Sequence, residues 1–226
     1  IFATGPLTGA GPIASCRFMV VTKGYLTGAI ACSNSGGYFP AELRFAGIDG
    51  IIFEGKADEP VYLWINDDEI EIRTAEHLWG KTTHETEDLI RSEISDPWLA
   101  KEIHIASIGP AGENLGKLAC IMNDKHRAAG RSGVGAVMGS KNLKAVVVKG
   151  KIKVPVADAA KTSELRKKYL DLLGGHIAWL KPVGTPFLTA IGTQTGDSPV
   201  KNWSGVASID FPKADPIAAE PLIANR

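Results

Sequence analysis

The chain has no cysteine spacing suited to a metal site or a disulfide framework. It carries three cysteines, Cys16, Cys32 and Cys120, an odd and widely separated set with no Cys-x-x-Cys. A disulfide scaffold, a complete zinc site and a complete iron–sulfur site cannot be built from these residues, and a reducing, cytoplasmic setting is expected. Net charge is also absent: Lys plus Arg and Asp plus Glu number 25 each. No global field therefore draws in nucleic acid or an anionic membrane, neither is expected as a partner, and any anion must be held by local groups. Long apolar runs are missing, since stretches such as Ala145–Val148 fall far short of a membrane span. The histidines His77, His84, His104, His126 and His176 never fall at His-x-x-x-His spacing and read as packing or surface residues. The first residues, Ile1-Phe2-Ala3-Thr4-Gly5-Pro6, include no initiator methionine, basic leader or cleavage site, as expected of a segment of a longer polypeptide.

What is present suits a globular core. The 226 residues are 44% hydrophobic and 22% charged, enough for one large domain, or one domain and the beginning of a second. Up to about Gly150, short apolar runs broken by Gly, Pro, Asn and Ser predict strands and turns with one helix between them. Phe18–Thr22, Gly50–Glu54, Ile103–Ile108 and Lys144–Lys149 read as strands, the second and fourth apolar enough to be buried. Val61–Ile65 and Glu69–Arg73 flank Asn66-Asp67-Asp68, the composition of a hairpin turn. Thr82 or Thr83 caps a helix to about Ile94, with Glu85 and Glu87 in its first turns and Leu89, Ile90 and Ile94 as its stripe. After Gly150 the pattern becomes helical over Ala157–Leu173 and then proline-rich, ending in a connecting stretch with Pro212, Pro216 and Pro221. The expected division is a β-rich domain over 1–152 and the beginning of a helical one over 153–226.

Two glycine-rich clusters could hold a ligand. The first runs from Ala31 to Phe39 through Asn34-Ser35-Gly36-Gly37, where Asn34 and the glycine pair offer a carbonyl, an amide and close backbone access, and which also reads as a simple turn. The second is Asn123–Lys141, with Gly130, Gly133, Gly135 and Gly139 for close approach and Arg127, Arg131 and Lys141 for phosphate. A glycine turn feeding a helix is an anion site by its free amides, and equally a tight turn packed under a sheet. Neither nucleotide fingerprint fits: Met138 stands where the third dinucleotide-binding glycine belongs, and Gly135–Lys141 has the wrong spacing for a P-loop. Arg17, just before an apolar strand, suits a fixed guanidinium on a binding face, although a solvated arginine is the commoner case.

The ordered blocks Gly5-Pro6-Leu7-Thr8-Gly9, Ser33-Asn34-Ser35-Gly36-Gly37, Glu42–Ile52, Ile108–Asn114 and Ala129-Gly130-Arg131-Ser132-Gly133 together resemble the aldehyde:ferredoxin oxidoreductase family. The likeness covers residues 1–150 and continues more weakly through Gly184-Thr185-Pro186-Phe187 and Lys201-Asn202-Trp203. It implies an α+β fold: an N-terminal β-sheet saddle carrying two pterins that chelate one tungsten, occasionally molybdenum, with magnesium bridging the pterin phosphates, followed by the start of a mainly helical domain. Carried over by motif position, Arg17, Asn34 and Gly36 contact pterin from one cluster and Ala128, Ala129 and Arg131 from the other. The backbone carbonyls of Asn34 and Ala129 are the implied magnesium ligands, chemistry that suits a hard cation. The resemblance further implies an oligomeric enzyme that oxidises an aldehyde with water to a carboxylic acid, passing electrons through a 4Fe-4S cluster to ferredoxin or an electron-transfer subunit. The cluster cysteines and catalytic residues belong to later domains, and Cys16, where a small residue is expected, is a minor departure. Relatives with the same saddle reduce aromatic thioesters, and a non-catalytic module holding a phosphate-bearing ligand is the reading from another class.

Overall fold

The computed structural model describes residues 1–224, and its elements follow the apolar runs of the sequence, punctuated by glycine and proline. The chain forms β1 (Phe2–Thr4), β2 (Arg17–Lys23), β3 (Ile30–Gly36), α1 (Phe39–Phe45), β4 (Gly50–Ile51), β5 (Val61–Asn66) and β6 (Glu69–Thr74). It continues through α2 (Thr83–Ser92), α3 (Pro97–Glu102), β7 (His104–Ser107), α4 (Pro110–Glu113), β8 (Ile121–Asn123), β9 (Arg127–Ala129), α5 (Val134–Ser140) and β10 (Leu143–Lys149). Then follow α6 (Ala159–His176), α7 (Leu180–Val183), α8 (Leu188–Thr195), α9 (Ala207–Asp210) and α10 (Ala219–Ala224).

The strands make two sheets, one ordered β3-β2-β1-β4 and one ordered β6-β5-β10-β7-β8-β9. In the larger sheet β10 runs parallel to β5 and antiparallel to β7. Both faces of β10 are covered, which is why its central run Ala145–Val148 is continuously apolar. Val146 and Val148 enter a core with Phe2, Phe18 and Val20 of the smaller sheet and Phe39 and Leu43 of α1. Ala145 and Val147, on the opposite face, pack with Tyr62, Trp64, Ile105, Leu78 and Ile90 under α2. The first core contains an aromatic stack, with Phe2–Phe18 centroids 5.7 Å and Phe18–Phe39 centroids 5.1 Å apart.

The chain divides into two compact units, one over Ile1–Ser163 and one from Glu164 onward, the boundary lying within α6. The second unit is helical: Trp179 packs on Phe187 at 4.9 Å, and Ala214, Ala218 and Ala219 are buried. Sheets with short helices followed by a helical unit give the expected α+β class. Among the described residues no helix is long and apolar enough to cross a membrane.

Two expectations are corrected. The strand read over Gly50–Glu54 is only Gly50–Ile51, and Ile52 is 67% exposed. The short β4 pairs with β1 alone at the sheet edge, so its apolar composition does not mean burial. The first 150 residues also hold more than one helix. The extra helices α1, α3, α4 and α5 are each at most seven residues long, too short to display a helical period, and α1, α3 and α4 begin with proline at the first or second position. The helix that was expected, α2, is capped as its sequence requires: Glu85 N donates to Thr82 Oγ1 (3.3 Å), and Thr82 N donates to Glu85 Oε2 (2.8 Å). Thr82→Ala should lower stability by about 1 kcal/mol in chemical denaturation; an unchanged midpoint would mean that packing alone holds the first turn of α2.

Candidate functional site

The outer strand of each sheet meets the other: β3 ends the smaller sheet, β9 ends the larger, and the two pack side by side. Strand alternation buries Ser33 and Ser35 and leaves Cys32 and Asn34 exposed. Arg17, at the start of β2, is paired with Gly36, and its Nε donates to Asn34 Oδ1. A Cβ on Gly36 would lie 3.4 Å from Arg17 Nη1, an ordinary contact distance, so the guanidinium lies directly beside Gly36. Arg17, Asn34 and Gly36 thus form one arm, built on a strand and not on the turn that Asn-Ser-Gly-Gly suggested. β-Pairing overrides local turn propensity here: β2 supplies a partner for every residue from Ile30 to Gly36.

The β3 carbonyls are the informative part of this arm. Cys32 O accepts from Ser132 Oγ (3.3 Å), and Gly36 O accepts from Asn123 Nδ2 (2.9 Å), so both point towards β9. Backbone alternation turns the Asn34 carbonyl, midway between them, to the same edge.

The second arm is β9 and the loop after it. Arg127 and Ala128 are exposed, Ala129 is buried, and Gly130, Arg131 and Ser132 are exposed. Arg127 lies 6.0 Å over the Tyr38 ring. Ser132 ties this loop to β3, so Ala128, Ala129 and Arg131 are brought beside the first arm. Among the described residues no hydrogen bond joins Arg131 to that arm.

The glycines of Asn123–Lys141 serve mostly a different purpose from the one their number suggested. A Cβ on Gly133 would lie 2.2 Å from Lys117 O, on Gly135 2.3 Å from Cys120 O, and on Gly139 2.0 Å from Gly112 O. These three admit the chain's own backbone, letting α5 lie against α4, and only Gly130 is open, with Ala128 Cβ 3.9 Å away. The helix start is also not a free anion site, since Gly135 N already donates to Ala119 O (2.9 Å). Lys141 turns away and donates to Gly55 O (2.8 Å). Basic charge at the site therefore rests on Arg17, Arg127 and Arg131.

Sequence reasoning missed two residues, Asn123 and Asp124. Asn123 is fully buried, accepting from Ser35 Oγ (2.7 Å) while donating to Gly36 O. Asp124 accepts from His104 Nδ1 (2.8 Å) and from the Tyr38 and Phe39 amides (3.2 and 3.4 Å). His104 is therefore a carboxylate partner and not only a packing residue. Burial pushes the Asp124 carboxyl up, but hydrogen bonds from His104, its charge and the two amides outweigh this and hold it below the usual carboxylate range. The available signal was an Asn-Asp pair at a strand end, a composition that tolerates the positive φ adopted by Asp124 and its neighbour Lys125 (49° and 60°).

Chemically, an open carbonyl at a strand edge suits a hard cation, and guanidinium groups beside it suit phosphate oxygens. The exposed Arg127 and Arg131, the held Arg17 and the carbonyl row of β3 fit a phosphate-bearing ligand with an accompanying cation. No group of three or more His, Cys, Asp or Glu side chains suited to a metal occurs among the described residues.

Comparisons with known proteins show what the chain is similar to. The family model for the aldehyde ferredoxin oxidoreductase N-terminal domain matches residues 1–150. The tungsten-containing aldehyde ferredoxin oxidoreductase of Pyrococcus horikoshii is 51% identical over 231 residues, covering 100% of this chain and 37% of that protein. An aliphatic sulfonate oxidoreductase, WOR-like subunit, of Pyrococcus furiosus is 36% identical over 212 residues, covering 90% of this chain and 34% of that protein. Among solved structures, the active site complex BamBC of benzoyl coenzyme A reductase with 1,5 dienoyl-CoA matches with a TM-score of 0.73 and 41% identity, over 81% of this chain and 27% of that one. The chain thus spans 37% of the length of its P. horikoshii relative.

Two outcomes check this site. Gly139→Ala should cost about 3 kcal/mol or more by forcing α5 off α4, whereas Gly130→Ala should stay within about 0.5 kcal/mol; equal effects in denaturant melts would contradict the packing assignment. Asp124→Asn should cost about 1–3 kcal/mol at neutral pH. Because the folded carboxyl titrates below its unfolded value of about 3.9, the gap to the parent should be complete above that value and close as pH falls through the lower, folded one. A gap that stays constant down to acid unfolding would show that the charge on Asp124 is not what matters.

Proposed function

The chain belongs to the aldehyde ferredoxin oxidoreductase family, and we propose that it is the cofactor cradle of a tungsten- or molybdenum-pterin enzyme that oxidises aldehydes to carboxylic acids. The observation that carries this reading is the pairing of the two arms: the Asn34 carbonyl, between two carbonyls already bonded, faces the strand edge where Ala128, Ala129 and Arg131 follow one another. When bound, the metal–pterin group supplies the redox chemistry, and the protein supplies position and electrostatics.

In this reading Arg17, Gly36, Ala128 and Arg131 contact pterin, and the Asn34 and Ala129 carbonyls take a magnesium ion. Asn34 has two tasks, since its side chain holds Arg17 while its carbonyl faces the cation. The cradle occupies 1–152, and residues from 153 begin a mainly helical second domain. The 4Fe-4S ligands, the catalytic residues and the contacts for ferredoxin or an electron-transfer subunit come from outside this segment, in a cytoplasmic, oligomeric enzyme.

A second reading keeps the cradle and changes the substrate to an aromatic acyl-CoA. It is favoured by the structural match to the benzoyl coenzyme A reductase complex. The higher identity to named aldehyde oxidoreductases, 51% against 41%, places the aldehyde reading first.

In the full-length enzyme, Arg131→Ala or Asn34→Ala should reduce cofactor retention about tenfold, the worth of one charge-assisted hydrogen bond, while the melting temperature of the cofactor-free protein moves little. Metal content equal to that of the parent in both variants would count against the assignment.

A further inference from the structure

If the two arms share one ligand, the distance between them must be set before it arrives, because a site left to adjust loses affinity to ordering. Three groups tie the arms together. Ser132 Oγ is exposed at its end of the seam, and its 3.3 Å bond to Cys32 O is long. Asp124 reaches the Tyr38 and Phe39 amides, beyond the carbonyl row. Asn123 alone of the three is fully buried, and both of its side-chain bonds, from Ser35 Oγ and to Gly36 O, go to the strand that carries Asn34. Its backbone is paired with Arg127, the first residue of the other arm.

A Cβ on Gly37, whose φ is +127°, would lie 2.8 Å from Asn123 Nδ2 and 2.9 Å from Arg127 Cδ. Glycine suits that φ, and its bare backbone lets the carboxamide and Arg127 lie against it. The bond to Gly36 O also removes that carbonyl from competition, and among the described residues no hydrogen bond is made to the Asn34 carbonyl between it and Cys32 O.

We propose that Asn123 is a positioning residue of the cradle: its buried carboxamide, bonded to Ser35 and Gly36 and backbone-paired to Arg127, fixes the Asn34 carbonyl and Arg17 against the Ala128–Arg131 arm. This rests on the reading of the site as a cofactor cradle. Outer-shell partners of this kind act on retention of the bound group more than on whether the chain folds.

The test uses the full-length enzyme purified anaerobically. Pterin release is followed by fluorescence after oxidation, with metal per polypeptide by plasma mass spectrometry, at a fixed interval below each variant's melting temperature. Asn123→Asp keeps the acceptor for Ser35 and loses the donor to Gly36. Ser35→Ala removes only the donor that orients the carboxamide, and serves if the first variant does not fold. Ile90→Ala is the control, destabilising the core on the opposite face of the larger sheet. Asn123→Asp should release cofactor about 10–100-fold faster than the parent, Ser35→Ala should lie between them, and Ile90→Ala should match the parent. Release at the parent rate in both seam variants, or equal acceleration in Ile90→Ala, would overturn the positioning role and leave the cradle standing. A parent enzyme with neither metal nor pterin would overturn both.

Discussion

Two open sheet edges can lie together only if their unpaired backbone groups find partners, and here side chains supply them in place of a ladder. Ser132 takes the carbonyl of Cys32, Asn123 takes that of Gly36, and Asp124 takes the amides of Tyr38 and Phe39. A continuous ladder would use every group along β3. Discrete side-chain bonds leave the Asn34 carbonyl without a hydrogen bond among the described residues, and the proposed cation site uses that opening. Joining the sheets and forming the site are therefore the same act.

Behind the seam, the second arm rests on close backbone packing. Gly135 and Gly139 let α5 touch the segment Ala119–Cys120 and α4, with no side chain between them. From its other side α4 is held by Glu113, which receives Gly80 N (2.8 Å) and pairs with the buried Lys144; Lys144 also donates to Lys81 O (2.8 Å). Burial pushes the Lys144 ammonium down, and Glu113 offsets this only in part. Such a pair adds little net stability but strongly penalises any arrangement that separates its members. The base of the loop is thus fixed while Gly130–Ser132 stays open to a ligand.

Strands were legible where one physical pattern dominated. The apolar run of β10, the β5–β6 hairpin at Asn66–Asp68 and the Thr82 cap of α2 all follow from burial or local hydrogen bonding. Expectation failed where two causes compete. Asn34-Ser35-Gly36 has turn composition, yet strand pairing decides its form. Glycine is chosen for closeness to backbone or to ligand alike, and composition cannot separate the two, so Gly133, Gly135 and Gly139 read equally as ligand-facing or as a packed turn, and they face their own chain. The residues named for the site lie on the two arms because block order located them; the partners that bind the arms together, Asn123, Asp124 and His104, make long-range contacts, and the Asn-Asp pair marks only a local turn.

Elemental analysis of the anaerobically purified full-length protein, with fluorescence of the oxidised pterin measured on the same sample, decides whether this chain cradles a metal–pterin group. A cradle of that kind carries tungsten or molybdenum near one atom per polypeptide, with pterin present. Absence of both metals and of pterin would contradict it and leave a glycine- and arginine-lined seam that binds some other phosphate-bearing ligand.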